Sequence, residues 1–144
     1  MNSIILRSSA AAIALFGALA FASPSMAAMM TFKATLNGKS EVPPNTTAGT
    51  GEVTATYDTD SKKLTWKGSY SGLTGPATAA HFHGPAPVGK NAGVMVPISP
   101  AASPLDGSAT LTDAQAKALM DGDMYVNVHT AANKAGEIRG QLVK

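Results

Sequence analysis

Apolar and polar residues alternate one for one through a series of short runs, each closed by glycine, proline, asparagine or aspartate. A period of two puts successive side chains on opposite faces of a strand, so each run can bury one face only. From Met30 to Leu36, Met30, Phe32, Ala34 and Leu36 oppose Thr31, Lys33 and Thr35 before Gly38 intervenes. Val53, Ala55 and Tyr57 then oppose Glu52, Thr54, Thr56 and Asp58. Leu64 and Trp66 oppose Lys63, Thr65 and Lys67, with Asp58-Thr59-Asp60-Ser61 as the hairpin turn between the two runs. Further short strands are predicted over 78–84, 94–98, 108–111, 125–129 and 138–142. Pro97 cannot donate to a ladder, which assigns its strand to a sheet edge.

One segment has a different period. Thr112-Asp113-Ala114-Gln115 is a capping box in which Thr112 and Gln115 satisfy orphan amides, Ala114 to Met120 favour helix, and Gly122 stops it. A single short helix is predicted near 113–121. Seven or eight strands with 14 glycines and 9 prolines to turn them point to an all-β fold, an antiparallel Greek-key sandwich or barrel. Its expected core is Phe32, Tyr57, Leu64, Trp66, Phe82, Val94, Val96, Val126, Val128, Ile138 and Leu142. With no cysteine in the chain, packing and backbone pairing must hold this fold together.

Ahead of the first strand, Met1 to Arg7 carries one positive charge, an apolar run follows from Ala10 to Ala22, and Ser25-Met26-Ala27 supplies small residues for cleavage. This is the pattern of a secretory signal peptide over 1–27, with a domain over 28–144 and a periplasmic or secreted destination. The apolar run is shorter than the ~20 residues of a spanning helix, so no membrane span is expected after signal cleavage. Arg7 is one of 11 Lys and Arg residues set against 9 Asp and Glu, so the domain is close to neutral. That balance provides no basic surface for nucleic acid.

The chemistry concentrates on histidine. His81 and His83 lie two apart on one strand and therefore share a face opposite Ala80 and Phe82; His129 lies on the outward face of another strand. Three imidazole nitrogens can bind copper or zinc, and thioethers from Met29, Met30, Met95, Met120 or Met124 would favour Cu(I). The plainer alternative is that these histidines face outward and hydrogen-bond neighbouring loops. Glu41, Glu137 and Arg139 form a second polar group: if the Glu41 loop packs over the last hairpin, Arg139 can clamp its carboxylate, most simply as a loop-fixing pair. Asn127 shares the His129 face and has the same two readings. No paired carboxylates, nucleophile elbow or phosphate loop is present, so catalysis is unsupported.

Five ordered strings carry a family resemblance: Phe32-Lys33-Ala34-Thr35-Leu36 with Glu41-Val42-Pro43-Pro44; Gly72-Leu73-Thr74-Gly75-Pro76-Ala77; Ala80-His81-Phe82-His83-Gly84-Pro85-Ala86; Tyr125-Val126-Asn127-Val128-His129-Thr130; and Gly136-Glu137-Ile138-Arg139-Gly140-Gln141-Leu142. Together they span the domain, which resembles the CHRD domain, named after the extracellular animal protein chordin. The resemblance implies an immunoglobulin-like or barrel-like exported β domain and brings no catalytic residues with it. The His-x-His string is also similar to the copper-ligand pair of copper-zinc superoxide dismutase, so a superoxide-dismutase-like barrel is the other form the fold can take. The chain lacks that enzyme's further histidines, bridging aspartate and disulfide cysteines, and is not read as a dismutase. The resulting expectation is an exported, non-enzymatic CHRD-type binding protein holding copper or zinc through His81, His83 and His129. The alternative is a metal-free module that contacts protein or glycan through loops such as 41–44 and 84–86. A redox enzyme would require bound copper with an open position.

Overall fold

The computed structural model describes residues 26–144, so the leader expected over 1–27 lies almost wholly outside the described residues. Eight strands follow in chain order: β1 (Met29–Asn37), β2 (Thr50–Asp58), β3 (Lys63–Ser71), β4 (Ala77–His83), β5 (Val94–Ile98), β6 (Leu105–Thr110), β7 (Tyr125–Thr130) and β8 (Ile138–Gln141). A 3-10 turn (Gly38–Ser40) follows β1, and an α-helix, α1 (Asp113–Asp121), stands between β6 and β7. The strands form a single sheet in the order β5-β4-β7-β8-β1-β2-β3-β6, antiparallel throughout. The sheet curls until its edges, β5 and β6, approach each other, giving a nearly closed barrel. The connections β3 to β4 and β6 to β7 each skip past neighbouring strands, as Greek-key topology requires.

The barrel closes because large and small inward residues alternate across strands as well as along them. Phe32 pairs with Ala55, Ala55 with Trp66, and Trp66 with Gly107. One step along, Ala34 pairs with Val53, Val53 with Gly68, and Gly68 with Leu105. Each bulky side chain thus faces a small partner, which lets the layers interdigitate at interior density. A methyl group on Gly107 would come within 2.6 Å of the Trp66 indole, so a glycine inside a strand marks the space that the ring fills. Trp66 also meets Phe82 edge-on at 5.0 Å, joining the two halves of the sheet through the interior.

The expected core residues are buried with one exception: Val94 is 55% exposed at the start of β5, ahead of the point where that strand turns its side chains inward at Val96 and Ile98. Pro97 lies on the edge strand, as its missing N–H demands. β6 begins at Leu105, before the expected 108, because Asp106 and Gly107 pair with β3 and do not form a turn. The helix has the expected bounds, with the Thr112–Gln115 capping box formed in both directions and Gly122 left-handed at φ 81°. Leu119 buries its side chain, together with the neighbouring Leu111 and Met124, in the core. Among the described residues no helix is long and apolar enough to cross a membrane.

Candidate metal centre

The outer face of β4, β7 and β8 carries polar residues in register. His81 pairs with Asn127 and Asn127 with Arg139; His83 pairs with Tyr125; and His129 pairs with Ala79, one step along from His81. The alternation that drives Phe82, Val126, Val128 and Ile138 inward is what gathers these side chains on the other side. His81, His83 and His129 come together there, each offering a ring nitrogen within 4.8 Å of the others. Their ring centroids are 5.1 to 5.7 Å apart.

Backbone carbonyls fix two of the three rings. His83 Nδ1 donates to the Ala92 carbonyl at 3.0 Å, and His129 Nδ1 donates to the Lys134 carbonyl at 3.0 Å. With the proton held on Nδ1, Nε2 of each ring carries a lone pair, which on His129 accepts a hydrogen bond from His81 Nδ1. His83 Nε2 is buried and has no hydrogen-bond partner, an arrangement that costs energy unless something electrophilic meets it. His81 completes the group with Nδ1 at 3.2 Å from His129 Nε2. Burial lowers the pKa of His81 and of His83; the neighbouring His129 adds to the effect on His81, and both other histidines add to it on His83, against the Ala92 hydrogen bond. His81 and His83 are therefore predisposed to the neutral imidazole form that binds metal. His81 and His129 also line an open, mainly apolar pocket of about 420 Å³ with Thr78, Ala79, Thr130, Ala131 and Lys134, so the group is reached from that side.

The methionines considered as thioether donors have other roles. Met124 lies in the core, Met30 and Met95 pack against it, and Met29 and Met120 are exposed. Tyr125 was missed as a site residue: its ring stacks on His83 at 5.1 Å and 7°, and its hydroxyl bonds to Ala92. The signal lay in the alternation of Tyr125, Asn127 and His129 on one face.

Glu41, Asn127 and Arg139 come together, yet not as an ion pair, while the Glu137 carboxylate lies among threonines. Arg139 lies with its guanidinium carbon 3.5 Å over the Tyr125 ring and donates to Asn91 Oδ1 at 3.1 Å and the Lys90 carbonyl at 2.8 Å. The expected clamp on Glu41 is thus replaced, because the 84–93 loop folds down and takes the guanidinium donors. Asn91 Nδ2 in turn donates to the Val42 carbonyl at 2.9 Å, tying that loop to the 41–45 loop. The Glu41 carboxylate accepts from Asn127 Nδ2, which also donates to the Ile138 carbonyl. Burial pushes the Glu41 carboxyl up to about 7, against the downward pull of the Asn127 bond and the Arg139 charge.

Glu137 is the opposite case. It lies opposite the inward Ile138, yet it is 0% exposed. Burial would raise its pKa, but hydrogen bonds from Thr130, Thr47 and the side chain and backbone of Thr74 hold it down at about 2. Asn45 Nδ2 donates to its carbonyl as well. One carboxylate thereby fastens the β1–β2 and β3–β4 connections to β7 and β8.

These features define a class: a Greek-key β barrel whose outer face, partly roofed by loops, carries a three-imidazole cluster. The CHRD domain model matches residues 32–142, and the chain belongs to the CHRD-domain family. Comparison with curated proteins and with solved structures gives no match.

Proposed function

We propose that this CHRD domain is an exported, non-enzymatic binding protein that holds a transition metal, copper or zinc, at His81, His83 and His129. The observation that carries this reading is the buried, unpartnered His83 Nε2 in a cluster where His81, His83 and His129 each offer a ring nitrogen within 4.8 Å of the others. The carbonyls that pin His83 and His129 support it, because a ligating imidazole is normally oriented by a bond at its other nitrogen. Export rests on the leader pattern of residues 1–27, and the matched family segment begins downstream of it.

The test is metal analysis and titration with Cu and Zn on untagged protein, beside a His81→Ala/His83→Ala/His129→Ala variant. Stoichiometric binding in the first and none in the second is the expected result. Equal uptake by both would remove the histidines from the account. A second reading, interaction with protein or glycan, is favoured by the cleft of about 280 Å³ between Val42–Asn45 and Ala132–Gly136, beside the exposed Pro43 and Pro44. A partner bound there would tolerate the triple variant and be lost on substitution of Pro43 and Pro44.

A further inference from the structure

Three imidazoles satisfy only part of a divalent ion such as zinc, which takes at least four ligands. Among the described residues the cluster has three members, His81, His83 and His129. The 3.2 Å between His81 Nδ1 and His129 Nε2 is close to the edge of a tetrahedron built on bonds of ~2.0 to 2.1 Å, which is roughly 3.3 Å. The two nitrogens can therefore share an ion once His81 carries its proton on Nε2. Neutral imidazoles leave the ion's charge undiminished, which favours an anion as the remaining ligand. The nearby carboxylates are engaged elsewhere: Glu41 accepts from Asn127, and Glu137 accepts from Thr47, Thr74 and Thr130. His83 is 8% exposed and does not line the pocket that His81 and His129 share, so a fourth ligand approaches from the His81 and His129 side.

That side is the pocket of about 420 Å³, large enough for a small organic molecule. Ala79 and Ala131 give it apolar walls, and Lys134 supplies its only ammonium. Lys134 is exposed and, among the described residues, enters no ion pair. Its segment is held beside the cluster because its carbonyl accepts from His129 Nδ1. Behind the wall, Thr130 Oγ1 donates to the buried Glu137 carboxylate, which tempers the attraction for an anion without reversing it, since a divalent ion and a lysine stand against one carboxylate. We propose that the centre holds a divalent ion with one position open toward this pocket, and that the pocket brings to it a small monocarboxylate with a short apolar chain. One carboxylate oxygen replaces water on the ion, Lys134 attracts the carboxylate, and the chain lies along Ala79 and Ala131. The exchange breaks no bond within the acid and moves no electron. An inorganic anion would leave the apolar walls bare, and a multiply charged one would exceed what a single lysine opposed by Glu137 can match. The inference rests on the metal-centre reading above and goes further in naming the ligand.

The experiment loads the untagged protein with Co(II), whose visible spectrum reports its ligands, and titrates it with acetate, butyrate and n-butylamine. Wild type, Lys134→Gln and Ala131→Leu are compared; both positions are exposed, and the first keeps the backbone carbonyl that holds His129. Butyrate should change the Co(II) spectrum saturably and bind about tenfold more tightly than acetate, because two more methylenes leave water. Butylamine should not compete with it. Lys134→Gln should weaken butyrate about three- to tenfold, the effect of one exposed charge nearby. Ala131→Leu should take up Co(II) as wild type does and lose the advantage of butyrate over acetate. A spectrum that neither acid changes would overturn the proposal. So would equal affinity for the two acids, or butyrate binding that is indifferent to both variants, since the carboxylate would then reach the ion without the pocket. Failure to take up Co(II), Zn(II) or Cu(II) at all would overturn the metal-centre reading and this inference with it, an outcome distinct from a loaded centre that ignores the acids.

Discussion

Glu41→Gln should make the domain more stable in alkaline solution while leaving it nearly unchanged in mild acid. Glu41 is 6% exposed, and burial raises its carboxyl from 4.5 to about 7. A raised carboxyl means that the folded chain holds this proton more firmly than the unfolded chain does. The associated stability is therefore fully present below the unfolded value and is lost as pH rises through the folded one. The shift of about 2.5 pH units corresponds to about 3 kcal/mol over the whole range, and to about 2 to 3 kcal/mol between about pH 5 and pH 8.5. Glutamine is neutral at every pH and retains an oxygen for the Asn127 Nδ2 donor, so the variant should not show this loss. His81 and His83 titrate in part of the same interval with the opposite sign, since lowered histidines favour folding as pH rises through 6.5. They are common to both proteins and cancel in the difference. Urea unfolding of both proteins at several pH values gives the required quantity. Stability curves that run parallel from pH 5 to 8.5 would refute the burial argument.

Three other substitutions probe separate parts of the structure. Trp66→Ala should cost about 3 to 5 kcal/mol, measured by denaturant midpoint, because it removes an indole matched to Gly107 and in edge contact with Phe82. Glu137→Gln should cost about 2 to 3 kcal/mol at neutral pH, and the gap should close as pH falls through the folded value of about 2. The depressed carboxyl contributes stability above its unfolded 4.5 and loses it in acid. A gap that persists at pH 2 would assign the cost to packing. Gly136→Ala should lower the melting temperature, since Gly136 has φ 137° and a Cβ there would clash with the Asn127 amide; an unchanged melting temperature would contradict that contact.

The strands were legible because each inward residue is apolar and each outward residue polar, which is a local property. The capping box at Thr112 and the edge position of Pro97 were legible for the same reason: each is set by groups within a few residues. The shared face of His81 and His83 follows from strand geometry alone, whereas their approach to His129 depends on β4 and β7 being neighbours, which no local pattern encodes. Alternation puts Glu137 and Arg139 opposite the inward Ile138, and it distinguishes inside from outside only at the level of the sheet. Loops 38–49, 72–76 and 84–93 then bury part of the outer face by folding back over it, and Asn45, Thr47, Thr74 and Asn91 act at sequence separations of 48 to 92 residues. Gly68 and Gly107 look like turn signals in isolation. They are strand residues whose missing side chains are explained only by Val53 and Trp66 across the ladder.

The position of β8 has a consequence for how the molecule is made. It is the last strand in the chain, yet it sits inside the sheet between β7 and β1. Before it is in place, β5-β4-β7 and β1-β2-β3-β6 are two separate ribbons, and β1 and β7 present bare edges to each other. A ribosome releases residues from the amino end, so the strand that unites the ribbons emerges after the other described strands. Closure of the sheet therefore waits for β8, and loss of Ile138 to Gln141 would leave two ribbons with bare edges in place of a smaller barrel.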